Sequence, residues 1–300
     1  MNKWLNKILR MNEVSIDETK ILEADGILEV FLDTRFMNAN VLPSEDEFIR
    51  IRYYVKGESN LSVEDFFSLL EIEKTKDTLQ VTLKEVEYFM MNGKSFITLQ
   101  LPTRKYNQFV LSTVSGNLQV KEQIIDTLES NASSGDILLE KVEAKRMQMQ
   151  TKSGNITFEE ATSNTLDLKT VSGKIKVNDV IVDGNIEVEA ISGTVILHNT
   201  KVKQLKCDTS SGEIRLKELA TETLEAATTS GNIRSEELLL KNRLKAKSTS
   251  GNISLQLKDT VAYDAKTGTL SGRVKTIGKQ SIDGVKIIAE TLSGNITIQN

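Results

Sequence analysis

A serine followed by a glycine recurs ten times between Ser115 and Gly294, and this beat restricts the fold more than any other feature of the chain. The glycines are Gly116, Gly135, Gly154, Gly173, Gly193, Gly212, Gly231, Gly251, Gly272 and Gly294, spaced 19 to 22 residues apart. A fixed period near 20 residues marks stacked repeats, in which each repeat buries its apolar side only against its neighbours.

The columns around each glycine keep their chemistry. Two residues after it stand Leu118, Ile137, Ile156, Ile175, Val195, Ile214, Ile233, Ile253, Val274 and Ile296. Seven before it the column runs from Phe109 to Ile287 and is apolar throughout. Five before it the residues are smaller, and three before it stand seven threonines. Inward positions at −7, −5 and −3, and again at +2 and +4, have a period of two, so both arms read as strands with one face inward. The Ser-Gly step between them is a corner. Glycine is expected to supply a positive φ there, and the serines to form a hydrogen-bonded ladder. Columns of matched size are what stacking of laps requires, with equivalent residues about 4.8 Å apart. Residues 107–300 are therefore expected to form an all-β parallel β-solenoid, a single-stranded β-helix of ten coils, each lying over its predecessor.

Alternation continues upstream without the beat. Residues 27–32, 48–55, 79–83 and 96–102 read as strands. Ser62 and Asp65 fit the capping box of a short helix, with a strand as the alternative. Residues 20–106 are thus a β-rich opening section that either adds irregular coils or caps the solenoid. Residues 1–19 hold a basic amphipathic segment.

Composition narrows the function classes. A hydrophobic content of 39% excludes wholesale disorder, and 5% aromatics suit a thin, layered core. With 38 basic and 42 acidic residues the net charge is −4, so nothing draws the chain to nucleic acid. The single cysteine, Cys207, stands in the small inward column between Val188 and Ala226 and reads as a buried, inert thiol. The single histidine, His198, reads as an exposed loop residue and leaves no histidine-rich metal site. No metal or cofactor is expected. No apolar run approaches the roughly 18 residues a membrane span needs, and the first residues lack a secretory cleavage site. The expected location is the cytoplasm, with peripheral membrane contact as a variant.

The β-rich opening, the strand ending in Leu101-Pro102, and the repeated T-x-S-G-[ND]-I resemble the bacterial putative adhesin family, over residues 20–300. The resemblance implies a β-solenoid domain without an established catalytic motif. It also implies a place in the cell envelope of Gram-positive bacteria and its stress response.

Few residues suggest chemistry. Among the outward positions four before the glycine, Glu189 and Asp208 fall on adjacent coils and are the best carboxylate pair for a glycan-cleaving β-helix enzyme. Alternating charge on a solvated strand face accounts for them equally. At the N-terminus Trp4, Leu5, Ile8 and Leu9 share a helical face flanked by Lys3, Lys7 and Arg10, a pattern that either lies on an anionic membrane or packs as a cap or partner contact. At the other end the last repeat has no covering element, so Leu292, Ile296 and Ile298 are read as an edge for end-to-end self-association. Val114, Val171, Ile191, Leu270 and Leu292, each just before a serine, mark broken apolar strips. The function expected is non-enzymatic: an adhesin-like scaffold that binds a protein or envelope component and assembles through its C-terminal coil.

Overall fold

A computed structural model describes residues 11–300. The chain divides into two compact units, one ending at Leu138 and the other running Leu139–Asn300, with the boundary inside β11 (Ile137–Glu140).

The first unit contains β1 (Asn12–Glu23), β2 (Glu29–Asp33), β3 (Asn38–Ser44), β4 (Phe48–Ser59), α1 (Val63–Leu69), β5 (Leu70–Lys74), β6 (Thr78–Leu83), β7 (Met91–Pro102), β8 (Lys105–Thr113), β9 (Leu118–Lys121) and β10 (Ile124–Ala132). β2 and β3 form a coil without a Ser-Gly pair, turning at Arg35 (φ +50°). On one side β8 and β9, the arms of the Gly116 coil, stack on it in parallel. On the other side β6 and β7 pair with it, and β4 joins β7 and β1 in antiparallel register as a cover. The short helix forms with the anticipated capping box: the Asp65 amide donates to Ser62 Oγ, and the Ser62 amide to Asp65 Oδ2.

The second unit holds β12 (Glu143–Thr151), β13 (Ile156–Glu159), β14 (Thr162–Ser172), β15 (Ile175–Ser192), β16 (Val195–Thr209), β17 (Ile214–Thr228), β18 (Ile233–Ser250), β19 (Ile253–Leu257), β20 (Tyr263–Ser271), β21 (Val274–Ile277), β22 (Val285–Ser293) and β23 (Ile296–Gln299). Its coils are in-register parallel laps of a β-solenoid: Val188, Cys207 and Ala226 are successive partners, as are Ile175, Val195 and Ile214. All these side chains are buried. Each central coil has three sides rather than two arms. Val180, Leu219 and Leu238, seven residues after their glycines, and Val182, Val202 and Leu240, nine after, form a further inward run.

The corners differ from expectation. Most Ser-Gly glycines do not have a positive φ. They are needed because the laps touch there: a Cβ on Gly212 would stand against the carbonyl of Gly193, and one on Gly231 against that of Gly212, closer than any real side-chain contact. Left-handed backbone occurs instead at the second corner, six residues on, at Glu160, Asp179, Asn199, Glu218 and Glu237, with φ between +46° and +54°.

Nor do the serines form the ladder; all ten are exposed. Hydroxyls three residues before the glycine form it instead, donating across to a neighbouring lap's glycine carbonyl: Thr170 to Gly154 (3.2 Å), Thr228 to Gly212 (3.2 Å), Ser248 to Gly231 (3.1 Å); Ala132 and Ala190 interrupt the line. The asparagine after the glycine adds a second line, its side-chain oxygen accepting the next lap's amide, as Asn232 does from Asn252 (2.8 Å).

The last two laps exchange places. β22 and β23, the arms of the Gly294 coil, pair with β18 and β19 of the Gly251 coil on one side, and with β20 and β21 of the Gly272 coil on the other. The C-terminal lap is therefore interior and the penultimate lap is outermost. Core quality explains the order. The interior lap turns Ile287, Ala289, Ile296 and Ile298 inward, all buried, whereas the outer lap offers Ala265, Thr267, Val274 and Thr276, none of them buried.

Candidate functional site

A groove of about 970 Å³ runs along the second unit, across all eight of its Ser-Gly coils. Strand alternation builds it. Residues four before each glycine point outward and form one wall, from Gln150 through Lys169, Glu189, Asp208, Ala227 and Lys247 to Glu290 and Gly268. Residues two before the glycine form the other, and the threonine column three before makes the floor. The floor hydroxyls are already committed to the ladder.

The second wall has a pattern set by the order of the laps. Val171 and Ile191 make an apolar pair, then Ser210, Thr229 and Thr249 a run of three hydroxyls, then Leu292 and Leu270 a second apolar pair. Val171, Ile191, Leu292 and Leu270 are 44%, 53%, 53% and 84% exposed, so they remain available to a ligand. The middle, at Ala227 and Thr229, is lined by small side chains.

Charge on the first wall is internally paired. Lys169 Nζ lies 3.5 Å from Glu189 and 3.8 Å from Asp167, Lys206 lies 2.6 Å from Glu187 and 3.4 Å from Asp208, and Lys247 lies 2.6 Å from Glu290. The lysine partners hold the carboxyls of Glu187 and Glu290 below their ordinary range. Asp167 goes the other way. Burial lifts it, and Glu187 and Glu189 reinforce the shift against Lys169.

Glu189 and Asp208 are register partners on adjacent coils, as their spacing implied. Each is more than two-fifths exposed and has an ammonium group beside it. A general acid is usually kept protonated in an apolar pocket. Neither has one. Cys207 is fully buried in the core, which drives its thiol pKa up and leaves it inert. His198 lies not in a loop but in β16, half-buried, 3.6 Å from Glu218. Among the described residues no group of three or more His, Cys, Asp or Glu side chains is placed to hold a metal ion.

The structure also corrects the proposed edge. Ile296 and Ile298 are buried, with a paired strand on each side, and Leu292 lines the groove. Lys3, Trp4, Leu5, Lys7, Ile8, Leu9 and Arg10 lie outside the described residues. Among the described residues no helix is long and apolar enough to cross a membrane.

The model of the Toastrack family, DUF4097, matches residues 27–189 and again 181–299, nearly the whole chain. The chain belongs to this family. Solved structures are similar to the Toastrack chain at low identity. A putative adhesin from Parabacteroides distasonis is 15% identical, with 94% of this chain and 97% of that one covered, at a TM-score of 0.51. Another from Bacteroides fragilis is 13% identical over 94% and 97%, at 0.45. A putative lipid binding protein from Parabacteroides distasonis is 16% identical over 93% and 96%, at 0.36. At 15% identity the first of these likenesses concerns the fold alone. No curated protein shows significant sequence similarity to the chain.

The hydroxyls of Ser210, Thr229 and Thr249 escaped the sequence reading. The column two before the glycine shows itself in its apolar members alone, and the wall needs its hydroxyls as well.

Proposed function

We propose that this Toastrack protein is a non-enzymatic, adhesin-like scaffold that holds an elongated ligand of the bacterial cell envelope along the groove of its second unit. The observation that carries the reading is the groove's continuity over eight coils, with hydroxyls in the middle of one wall and apolar pairs to either side. Backbone groups along the laps are engaged in coil-to-coil pairing. Affinity therefore comes from side chains: hydroxyls and paired charges for a polar chain, apolar pairs for its less polar groups. A role in the envelope stress response and contact of residues 1–11 with a membrane surface belong to the same proposal.

The test is binding to an array of envelope glycans and extended envelope peptides, with the wild-type chain and Thr229→Trp compared. The indole fills the narrow middle of the groove, and an array signal at least tenfold weaker is expected. Equal binding by the variant removes the groove from the reading. The alternative, glycan cleavage by Glu189 and Asp208, rests on their adjacency in that groove. It requires turnover of a polysaccharide that is lost in the double variant Glu189→Gln, Asp208→Asn.

A further inference from the structure

The exchange of the last two laps leaves the Gly272 coil as the open end of the second unit. Among the described residues β20 pairs with no strand but β22, and β21 with none but β23; Gln280 bridges β20 at Tyr263, and from Asp264 on the other edges present unpaired backbone groups. An open strand edge is a template for another strand unless it is blunted. This one is basic. Lys266, Arg273, Lys275 and Lys279 are all exposed, and among the described residues none has an ion-pair partner within 4.0 Å. The one carboxylate on β20, Asp264, is held by Lys286 at 3.0 Å. Beside these charges stand exposed apolar side chains: among the described residues Leu270 at 84% and Ile282 at 80% are the most exposed large hydrophobics. Charges of one sign oppose two such ends meeting face to face. They do not oppose an acidic strand.

The first unit carries such a strand. Residues 11–138 hold 22 acidic against 12 basic side chains. Among the described residues β1 pairs on one side only, with β4, and its charges are Glu13, Asp17, Glu18 and Glu23 against Lys20. From Asp17 to Ile21 every side chain is exposed, on both faces of the strand, and Ile21 is 57% exposed. Asp17 is engaged by Arg52 at 2.7 Å, which leaves Glu13, Glu18 and Glu23 as the carboxylates available outward.

We infer that the open end of the Gly272 coil docks the acidic edge of β1 in a second copy of the chain, head to tail. Opposite charges align the two edges, backbone groups extend the sheet across the contact, and Ile21 meets the apolar side chains beside β20 and β21. A head-to-tail contact joins different surfaces, so it repeats and yields rings or filaments rather than closed pairs. The inference is independent of the groove.

Sedimentation velocity of the full chain, over a hundredfold range of concentration and from low to about 1 M salt, tests it. Association that grows with concentration is expected, and it should fade at high salt, where the screening length falls to about 3 Å. Lys266→Glu with Lys275→Glu should shift the association midpoint at least tenfold upward, and so should Glu18→Lys with Glu23→Lys. Mixing the two variants lets the acidic end meet the basic β1, and the unaltered end meet the unaltered β1, so association should return with the two variants alternating. Thr229→Trp, in the groove, should associate like the wild type. A strict monomer at every concentration overturns the inference. So does association that survives the β1 variant unchanged, because the contact would then join two identical ends.

Discussion

The backbone amide of Arg273 donates to Oδ1 of Asn295, 22 residues later in the chain, at 2.9 Å. Along the solenoid an asparagine side chain accepts from the lap above it, and the amide of Asn295 itself donates to Asn252 at 2.8 Å. The line therefore reads Asn252, Asn295, Arg273. Arginine has no side-chain acceptor to offer a further lap, so the line ends on it. Ladder and core both place the C-terminal lap inside.

Asn295→Ala should therefore weaken the end of the second unit more than its surface position suggests. It removes the acceptor of the Arg273 amide, a loss of about 1 kcal/mol. Urea denaturation should show a lowered midpoint, and hydrogen exchange at the Arg273 amide should accelerate, while Asn295→Asp keeps both near wild type.

Glycine substitutions at the two corners should have opposite signs. Gly212→Ala forces a methyl into the Gly193 carbonyl, and the paired laps have no room to part, so a loss of about 3 kcal/mol is expected. Glu218→Gly relieves a left-handed residue (φ +52°). Relief of that strain slightly exceeds the added chain entropy, for a net gain of about 0.5 kcal/mol. Thermal unfolding of both variants reads the contrast.

The threonine ladder predicts a split between similar side chains. Thr228→Val keeps the shape but removes the donor to Gly212 and should cost about 1 kcal/mol. Thr228→Ser keeps the donor and should cost less, since Ser248 fills the equivalent place one lap on.

Asp167 gives a pH signature. Burial raises its folded-state pKa above the unfolded value, and its Oδ1 is buried without a hydrogen-bond partner. The folded state therefore holds the proton more tightly, so the ionised carboxylate costs stability above the folded pKa. That cost disappears as pH falls below the unfolded one. Asp167→Asn should raise Tm at pH 7, and the gain should vanish in acid as the native carboxyl takes up its proton. An unchanged difference across pH would assign the effect to packing instead.

Much of this fold is legible in the chain. Ten registered Ser-Gly pairs demand stacked laps, and the column holding Val188, Cys207 and Ala226 places the cysteine in the core. The second corner is not legible, because Glu160, Asp179 and Glu218 are ordinary surface residues whose left-handed backbone leaves no compositional mark. The lap exchange is hidden for another reason: Ser250 aligns with Ser293 and Ser293 with Ser271, and the repeat itself would register equally in either order. Its signal lay in Thr267, Thr276 and Arg273, which make the penultimate repeat a poor interior lap and a good final one. The groove followed the same limit, since its second wall takes its pattern from the spatial order of the laps.

Cysteine cross-linking reads that order most directly. Lys247 and Glu290 are register partners, so their Cα atoms lie about 4.8 Å apart, within reach of a disulfide. Lys247 and Gly268 are two laps apart, at about 9.6 Å by the same spacing, which is out of reach. Under mild oxidation, Lys247→Cys with Glu290→Cys should form an intramolecular disulfide, seen by mass spectrometry of the digested chain, and Lys247→Cys with Gly268→Cys should not. A disulfide in the second pair and none in the first would mean that the laps stack in chain order, and both the groove and the open end described above would be wrong.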